Sequence, residues 1–393
     1  MFLMTFFLLP SQGKSEEKPT TAVIAVPDGP LEELRDFVVK YDRESQRLMT
    51  QRLLQADRTA PAEAVRSACE KILADPVISD EFRLWTLKKK AQAQIMLAYA
   101  DPSRYFSKLL AAVDDYEEQE GCEDIVKTVE TYILDLGTRI ATAPRDPDNP
   151  KPLKLDFDAF VERLLIFLEA HPEPGSKLLV TDLITRIKAT PPVQRDRMML
   201  VVAERLAPYY LKSKEANDRD FGRKLQATAR LLSLPGKPML LEGVQANGEL
   251  FDPDTLKGKV VLVQFWQMTC APCRAEMPIF VKLLEQYGKK GFEVIGVCTQ
   301  GGTKAVRDFL DRTALPDGNR ITWPILVDES APKAERLRLT EYYNITETPV
   351  LVLIGRDGNV VRVNPLPSAL ELEIGQALYP QMIEAAPAGE HDL

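Results

Sequence analysis

Histidine is almost absent from these 393 residues: only His171 and His391 occur, the second in a polar tail. A histidine-dependent catalytic triad or a histidine-rich metal centre therefore has almost nothing to be built from. Cysteine is sparse too. Cys69, Cys122, Cys270, Cys273 and Cys298 are too few and too dispersed to staple a disulfide scaffold. There is no surplus of basic charge, the net charge being −8, so composition offers no electrostatic footprint for nucleic acid. No apolar run reaches the ~20 residues that a membrane-spanning helix needs. What is left is an ordinary globular composition, 45% hydrophobic and 27% charged, in a chain too long for one core. Two domains are expected.

The first ten residues, Met1 to Pro10, are apolar, and Ser11-Gln12-Gly13 puts small residues at the −3 and −1 positions of a cleavage point after Gly13. This resembles the apolar core and cut site of a secretory signal peptide, although no Lys or Arg precedes it. Export to a periplasm or cell envelope is the expectation. A cytoplasmic location is the alternative if the run is only an apolar stub. Residues 14–28 are polar with two prolines, so 1–28 reads as leader plus linker.

Residues 29–232 carry a helical pattern. Leu31, Leu34, Phe37, Val38 and Tyr41 share one face, and Pro61 opens a segment bearing Val65, Ala68, Cys69 and Ile72. Further stretches cover Phe82–Tyr99, Tyr105–Tyr116, Ile125–Ile140, Phe157–Leu168, Leu178–Ile187, Met198–Leu211 and Phe221–Leu232. Proline or glycine punctuates each break. About nine helices on short turns predict an all-α domain, repeat-like in spirit but with no clean period of ~34 residues. Nothing in this half names a chemistry.

The texture changes at Leu234-Pro-Gly-Lys-Pro238. Met239–Val244 and Gly248–Phe251 read as short strands about an Asn247-Gly248 turn, and Lys259–Trp266 as a strand apolar on both faces. There follow helix Cys270–Tyr287, strand Phe292–Val297, helix Thr303–Arg312, strand Trp323–Val327, helix Pro332–Tyr343, strands Val350–Ile354 and Asn359–Val363, and helix Ala369–Ile383. This alternation makes residues 233–383 an α/β sandwich. Residues 384–393 read as a disordered tail.

Chemistry is concentrated in Phe265-Trp-Gln-Met-Thr-Cys270-Ala-Pro-Cys273-Arg-Ala-Glu276-Met-Pro278. A strand delivers Cys270 to a helix start, where unpaired N–H groups and the helix dipole favour a thiolate over the ~8.5 of a free cysteine. Two intervening residues put both sulfurs on the first turn. The first should be exposed and nucleophilic, the second shielded, resolving the mixed disulfide. Pro272 suits an early helical position and Pro278 kinks the helix. Glu276 has a bland explanation as a surface carboxylate favoured by the dipole.

A bare CxxC is a weak signal. In strand–CxxC–helix context, after Gly258-Lys-Val-Val-Leu-Val and before Thr348-Pro349-Val-Leu-Val-Leu-Ile-Gly-Arg-Asp-Gly358, it is strong. The segment resembles the thioredoxin superfamily, in particular the TlpA/ResA-like envelope branch. The resemblance covers about the last 150 residues and none of the helical half. It implies a thioredoxin-like fold and catalysis by Cys270 and Cys273. It also implies a client-facing surface of Trp266, Thr269, Ala271, Pro272, Thr348 and Pro349, with Pro349 in cis. Only ~5% of X–Pro bonds are cis, but position relative to the CxxC outweighs that base rate. Two departures stand out. Gln264 occupies the place of a buried Asp and cannot take a proton from Cys273, and Thr269 replaces a Trp before the first cysteine.

The resulting expectation is a thiol–disulfide oxidoreductase, in the reductase direction because Ala271-Pro272 contains no group that over-stabilises the thiolate. Its partners would be protein thiol or disulfide clients and an upstream dithiol donor, with no cofactor and no metal. A peroxiredoxin is rejected, because its motif needs Pro and Thr where Val263 and Gln267 stand. A zinc site would need a second ligand pair. The reading from another class is an adaptor whose helical half grips a partner while the thioredoxin fold has little activity. Cys298, closing a strand near the site, reads as a small buried hydrophobe, with a third redox thiol as the alternative, and Cys69 and Cys122 read as core thiols that an exported protein could still join.

Overall fold

The computed structural model describes residues 23–50, 55–144, 153–328 and 338–380. The expected leader, most of the linker and the tail lie outside those residues. The chain falls into two compact units that divide between Leu155 and Asp156.

The first unit is helical: α1 (Leu31–Thr50), α2 (Gln55–Leu73), α3 (Asp80–Ala100), α4 (Pro102–Glu117) and α5 (Glu123–Thr142). Helix starts have local causes. Ser79 accepts the Phe82 N–H at the head of α3, and Asp101 accepts that of Arg104 at the head of α4, where Pro102 needs no partner. Pro61 sits inside α2 rather than opening it, the helix absorbing one lost backbone bond. One apolar cluster gathers Val38, Val65, Cys69 and Ile72, and another gathers Leu97, Phe106, Leu109, Val129 and Ile133. Cys69 and Cys122 are both buried and unbonded to each other.

The second unit begins with four more helices, α6 (Phe157–Ala170), α7 (Pro174–Lys188), α8 (Pro192–Leu211) and α9 (Ala216–Leu232). The change of texture near Leu232 is thus not where the compact units part. Leu231 of α9 is buried in the core of the sheet that follows, which ties this helix to the strands. The sheet unit continues with β1 (Val244–Gln245), β2 (Val260–Trp266), α10 (Ala271–Tyr287), β3 (Phe292–Cys298), α11 (Thr303–Arg312) and β4 (Ile325–Val327). Then come α12 (Leu339–Tyr342), β5 (Val350–Ile354), β6 (Val360–Val363) and α13 (Leu370–Leu378).

The strand order is β1-β4-β3-β2-β5-β6. β2, β3 and β4 run parallel, and β5, β6 and β1 join antiparallel. The central strand β2 is buried along its whole length. Its side chains alternate as a pleated strand requires. Val260, Leu262 and Trp266 face the cluster built with α10, α11 and α13, whereas Val261, Val263 and Phe265 face α12 and Leu231. Gln264 falls on the α10 side, beneath the CxxC turn.

Three elements are shorter than their apolar patterns suggest. Of Met239–Val244 only Val244 enters a strand, and the Leu240 N–H goes to the Tyr343 hydroxyl at 2.8 Å instead of to a neighbouring strand. α12 is a single turn, its expected beginning at 332–337 lying outside the described residues. α13 ends at Leu378.

Candidate redox site

Cys270 is the N-cap of α10, in extended conformation, and its sulfur accepts the Cys273 N–H at 3.2 Å. The motif thus places sulfur where the helix has an unpaired donor, the arrangement that stabilises a thiolate once the pair is reduced. Cys270 and Cys273 are joined as a disulfide with Cα atoms 5.3 Å apart. Cys273 is fully buried against the sheet, while Cys270 keeps partial exposure. Of the two sulfurs, only one is open to a partner.

The opposite wall is the turn before β5. The Thr348–Pro349 peptide bond is cis, and the Thr348 carbonyl oxygen lies 3.6 Å from Cys270 Sγ. Both residues are half-buried, and Ala271 and Pro272 are exposed beside them. Thr269 is exposed and anchored: its N–H and Oγ1 both donate to Gln300 Oε1, at 3.4 and 3.1 Å. Gln300 escaped the sequence reading, since a glutamine 31 positions away carries no local signal.

Trp266 departs from expectation. Its side chain is fully buried, its ring 5.7 Å from that of Phe309, so it supports the site from beneath and is not part of the open surface. The cause is register: Trp266 is the last residue of β2, paired with Cys298, and points to the α10 side.

Beneath the disulfide, Gln264 is fully buried. Its Nε2 donates to the Cys273 carbonyl at 3.3 Å and reaches Glu276 Oε2 at 3.5 Å, while its Oε1 has no partner among the described residues. Glu276 is therefore not the solvated surface carboxylate that its position in the first helical turns suggested. It is half-buried, and burial raises its pKa above the usual carboxylate value, the Gln264 amide offsetting part of the effect. Spacing could have revealed this, because Cys273, Glu276 and Met277 share the inward face of α10. Cys298 is buried at the end of β3, its thiol donating to the Gln300 carbonyl at 3.3 Å, and burial pushes its pKa up. Among the described residues no group of three or more His, Cys, Asp or Glu side chains is placed to hold a metal ion.

A mixed sheet with a parallel core, a dithiol motif heading the helix after the first central strand, and a Thr-Pro turn facing it define the thioredoxin-like class. Residues 222–377 match the Redoxin family model, and the C-terminal region has the thioredoxin-like fold. It is similar to the thiol-disulfide oxidoreductase ResA of Halalkalibacterium halodurans, with 32% identity over 118 residues, 30% of this chain and 60% of that one. It is also similar to ResA of Bacillus subtilis, with 26% identity over 136 residues, 33% of this chain and 69% of that one. The chain spans about 60% of the length of most of the curated relatives it matches. Among solved structures, a thioredoxin-family thiol:disulfide interchange protein from Chlorobium tepidum aligns at 24% identity over 36% of this chain and 97% of that one. Its TM-score is 0.29.

Proposed function

We propose that the C-terminal region is a thiol–disulfide oxidoreductase that reduces protein disulfides through Cys270 and Cys273. The observation that carries this is the pairing of a partly exposed and a buried sulfur at the head of α10, with the Thr348 carbonyl beside the exposed one. The ResA relatives, named thiol-disulfide oxidoreductases, support it.

In the reduced form the Cys270 thiolate attacks one sulfur of a client disulfide, whose other sulfur leaves as a thiolate and takes a proton. Cys273 then loses its proton and attacks Cys270, forming the bond described here and releasing the second client thiol. The client gains two electrons and two protons; the pair gives up both electrons and the Cys273 proton, and solvent supplies the other proton. An upstream dithiol restores the reduced pair by the same exchange. Gln264, a neutral amide, cannot take the Cys273 proton. Glu276, bonded to Gln264 and with its carboxyl raised by burial, is the group to which we assign it. Thr348 offers its backbone to the client in strand-like pairing beside Pro349, and Thr269, Ala271 and Pro272 form the adjoining surface. The absence of a thiolate-stabilising side chain between the cysteines favours the reductase direction. The leader-like composition of residues 1–13, which lie outside the described residues, supports action outside the cytosol. No helix among the described residues is long and apolar enough to cross a membrane.

The test is insulin reduction driven by a dithiol, with Cys270→Ser and Cys273→Ser. Wild type should turn over. Cys273→Ser should accumulate an adduct through Cys270, and Cys270→Ser should do neither. A protein that never shows the two-hydrogen mass difference between oxidant and reductant refutes the reading and leaves the adaptor.

A further inference from the structure

The second unit carries a groove that the redox reading leaves unused. It runs between α9 and the segment Thr340–Thr346, with a volume of about 550 Å³, and its walls include Asp220, Arg223, Arg230, Tyr342 and Thr346. A second hollow of about 460 Å³ shares Arg230 and Tyr342 and adds Lys237, Met239 and Leu240. We propose that this groove binds the stretch of a protein client flanking its reactive cysteine, and that it selects clients with acidic side chains there. The proposal rests on the reading of Thr348 as the residue that pairs with the client.

Continuity comes first. Thr346 lines the groove and is two residues before Thr348, whose carbonyl touches Cys270 Sγ. An extended chain advances roughly 3.3 Å per residue, so a client seated on Thr348 reaches the groove within about two or three of its own residues.

The walls are also held in place. Arg230 donates to the Tyr342 carbonyl at 2.5 Å, and its guanidinium lies over the Tyr342 ring, 4.1 Å from the centroid. Asn344 Nδ2 donates to Thr228 Oγ1 at 2.8 Å. Both bonds join α9 to the segment leading into Thr348. A groove fixed in this way costs little ordering when it is filled.

Charge then selects the occupant. The two hollows are lined by four cations, Arg223, Lys224, Arg230 and Lys237, against two acids, Asp220 and Glu341. Asp220 is already engaged by Arg223 at 3.2 Å and Lys224 at 2.7 Å. The surplus is positive in a chain whose net charge is −8. One guanidinium nitrogen of Arg230 is spent on Tyr342, and the same planar fork can turn other donors to a carboxylate. Met239 and the exposed Leu240 supply apolar surface for side chains between the acidic ones.

The experiment uses the full chain, reduced, and a pair of synthetic disulfide peptides that differ only in carrying Asp or Lys two to four residues from the cysteine. At low ionic strength kcat/KM should favour the Asp peptide by about fivefold, through several exposed or half-exposed ion pairs that are individually weak. The preference should vanish in roughly 1 M salt, where the screening length falls to about 3 Å. Arg223→Glu combined with Lys237→Glu should reverse the ratio, while Lys289→Glu, in the turn leading into β3, should leave it as it is. If the double variant does not fold, the salt dependence of the wild-type ratio still decides. Equal rates for the two peptides, or a preference that survives both salt and charge reversal, overturn the groove. Failure of the wild type to reduce either peptide, or a small aromatic disulfide, instead overturns the redox reading on which the groove depends.

Discussion

Gly296 is where the support of the redox site can be probed with one methyl group. It lies in β3 with a backbone conformation open to any residue, so replacing it by alanine meets only a packing obstacle. A Cβ there would fall 2.4 Å from Ile325 Cδ1 and 3.0 Å from Trp266 Nε1. Neither neighbour can swing into solvent, since they are 4% and 0% exposed. Overpacking of this kind costs about 1–3 kcal/mol. The loss of chain freedom in the unfolded state returns roughly 0.4–1 kcal/mol. The net expectation for Gly296→Ala is a loss of about 1–2 kcal/mol, or about 2–4 °C per kcal/mol in a unit of this size. Gly375→Ala, inside α13 with nothing within 4 Å of its Cβ, should instead gain about 0.5–1 kcal/mol. Urea unfolding in a Trp85→Phe background isolates the second unit, because the other two tryptophans, Trp266 and Trp323, both lie in it. The variants should move the midpoint in opposite directions at constant slope. If Gly296→Ala stabilises as Gly375→Ala does, the close packing of Trp266 against β3 is refuted.

Three further outcomes concern buried groups elsewhere as well as at the site. Glu276 binds its proton more tightly folded than unfolded, so its contribution is most favourable below the unfolded value of about 4.3 and is lost as pH rises through the native value. Glu276→Gln should therefore gain stability over wild type as pH rises through that window and hold the gain above it. Urea titrations across the range check this, and a gain that shrinks with pH contradicts it. Asp328→Asn should cost about 1–3 kcal/mol by unfolding midpoint, because the buried carboxylate accepts the Leu339 and Thr340 N–H groups at 2.7 and 3.1 Å. In the reduced native protein Cys270 should be alkylated first. Cys69, Cys122 and Cys298 should react only on unfolding, as buried thiols with raised pKa values, that of Cys69 about 12; peptide mass mapping reads the order.

Where sequence reasoning reached the structure, a local pattern decided the outcome. α11 begins and ends where its apolar and charged spacing puts it, and β2 and α10 meet at the CxxC turn as the motif requires. Where it fell short, the deciding contact was distant. Met239 to Gly243 has the apolar content of a strand, but the Leu240 N–H is satisfied by a hydroxyl 103 positions away. Trp266 looks like a surface aromatic beside a reactive cysteine until register with Cys298 turns it inward. Glu276 looks solvated until Gln264, on the neighbouring strand, is placed beneath it.

The burial of Leu231 among the strands has a consequence for anyone dissecting this protein. A fragment started at Ser233, where the residue pattern changes, would lack the four helices α6 to α9 of its own compact unit. It would leave Val261, Val263 and Phe265 short of a cover and strip the Arg230 clamp from Tyr342. Such a piece would be judged by its solubility rather than by its chemistry. A fair excision point lies upstream of α6, near Asp156, where the compact unit itself begins.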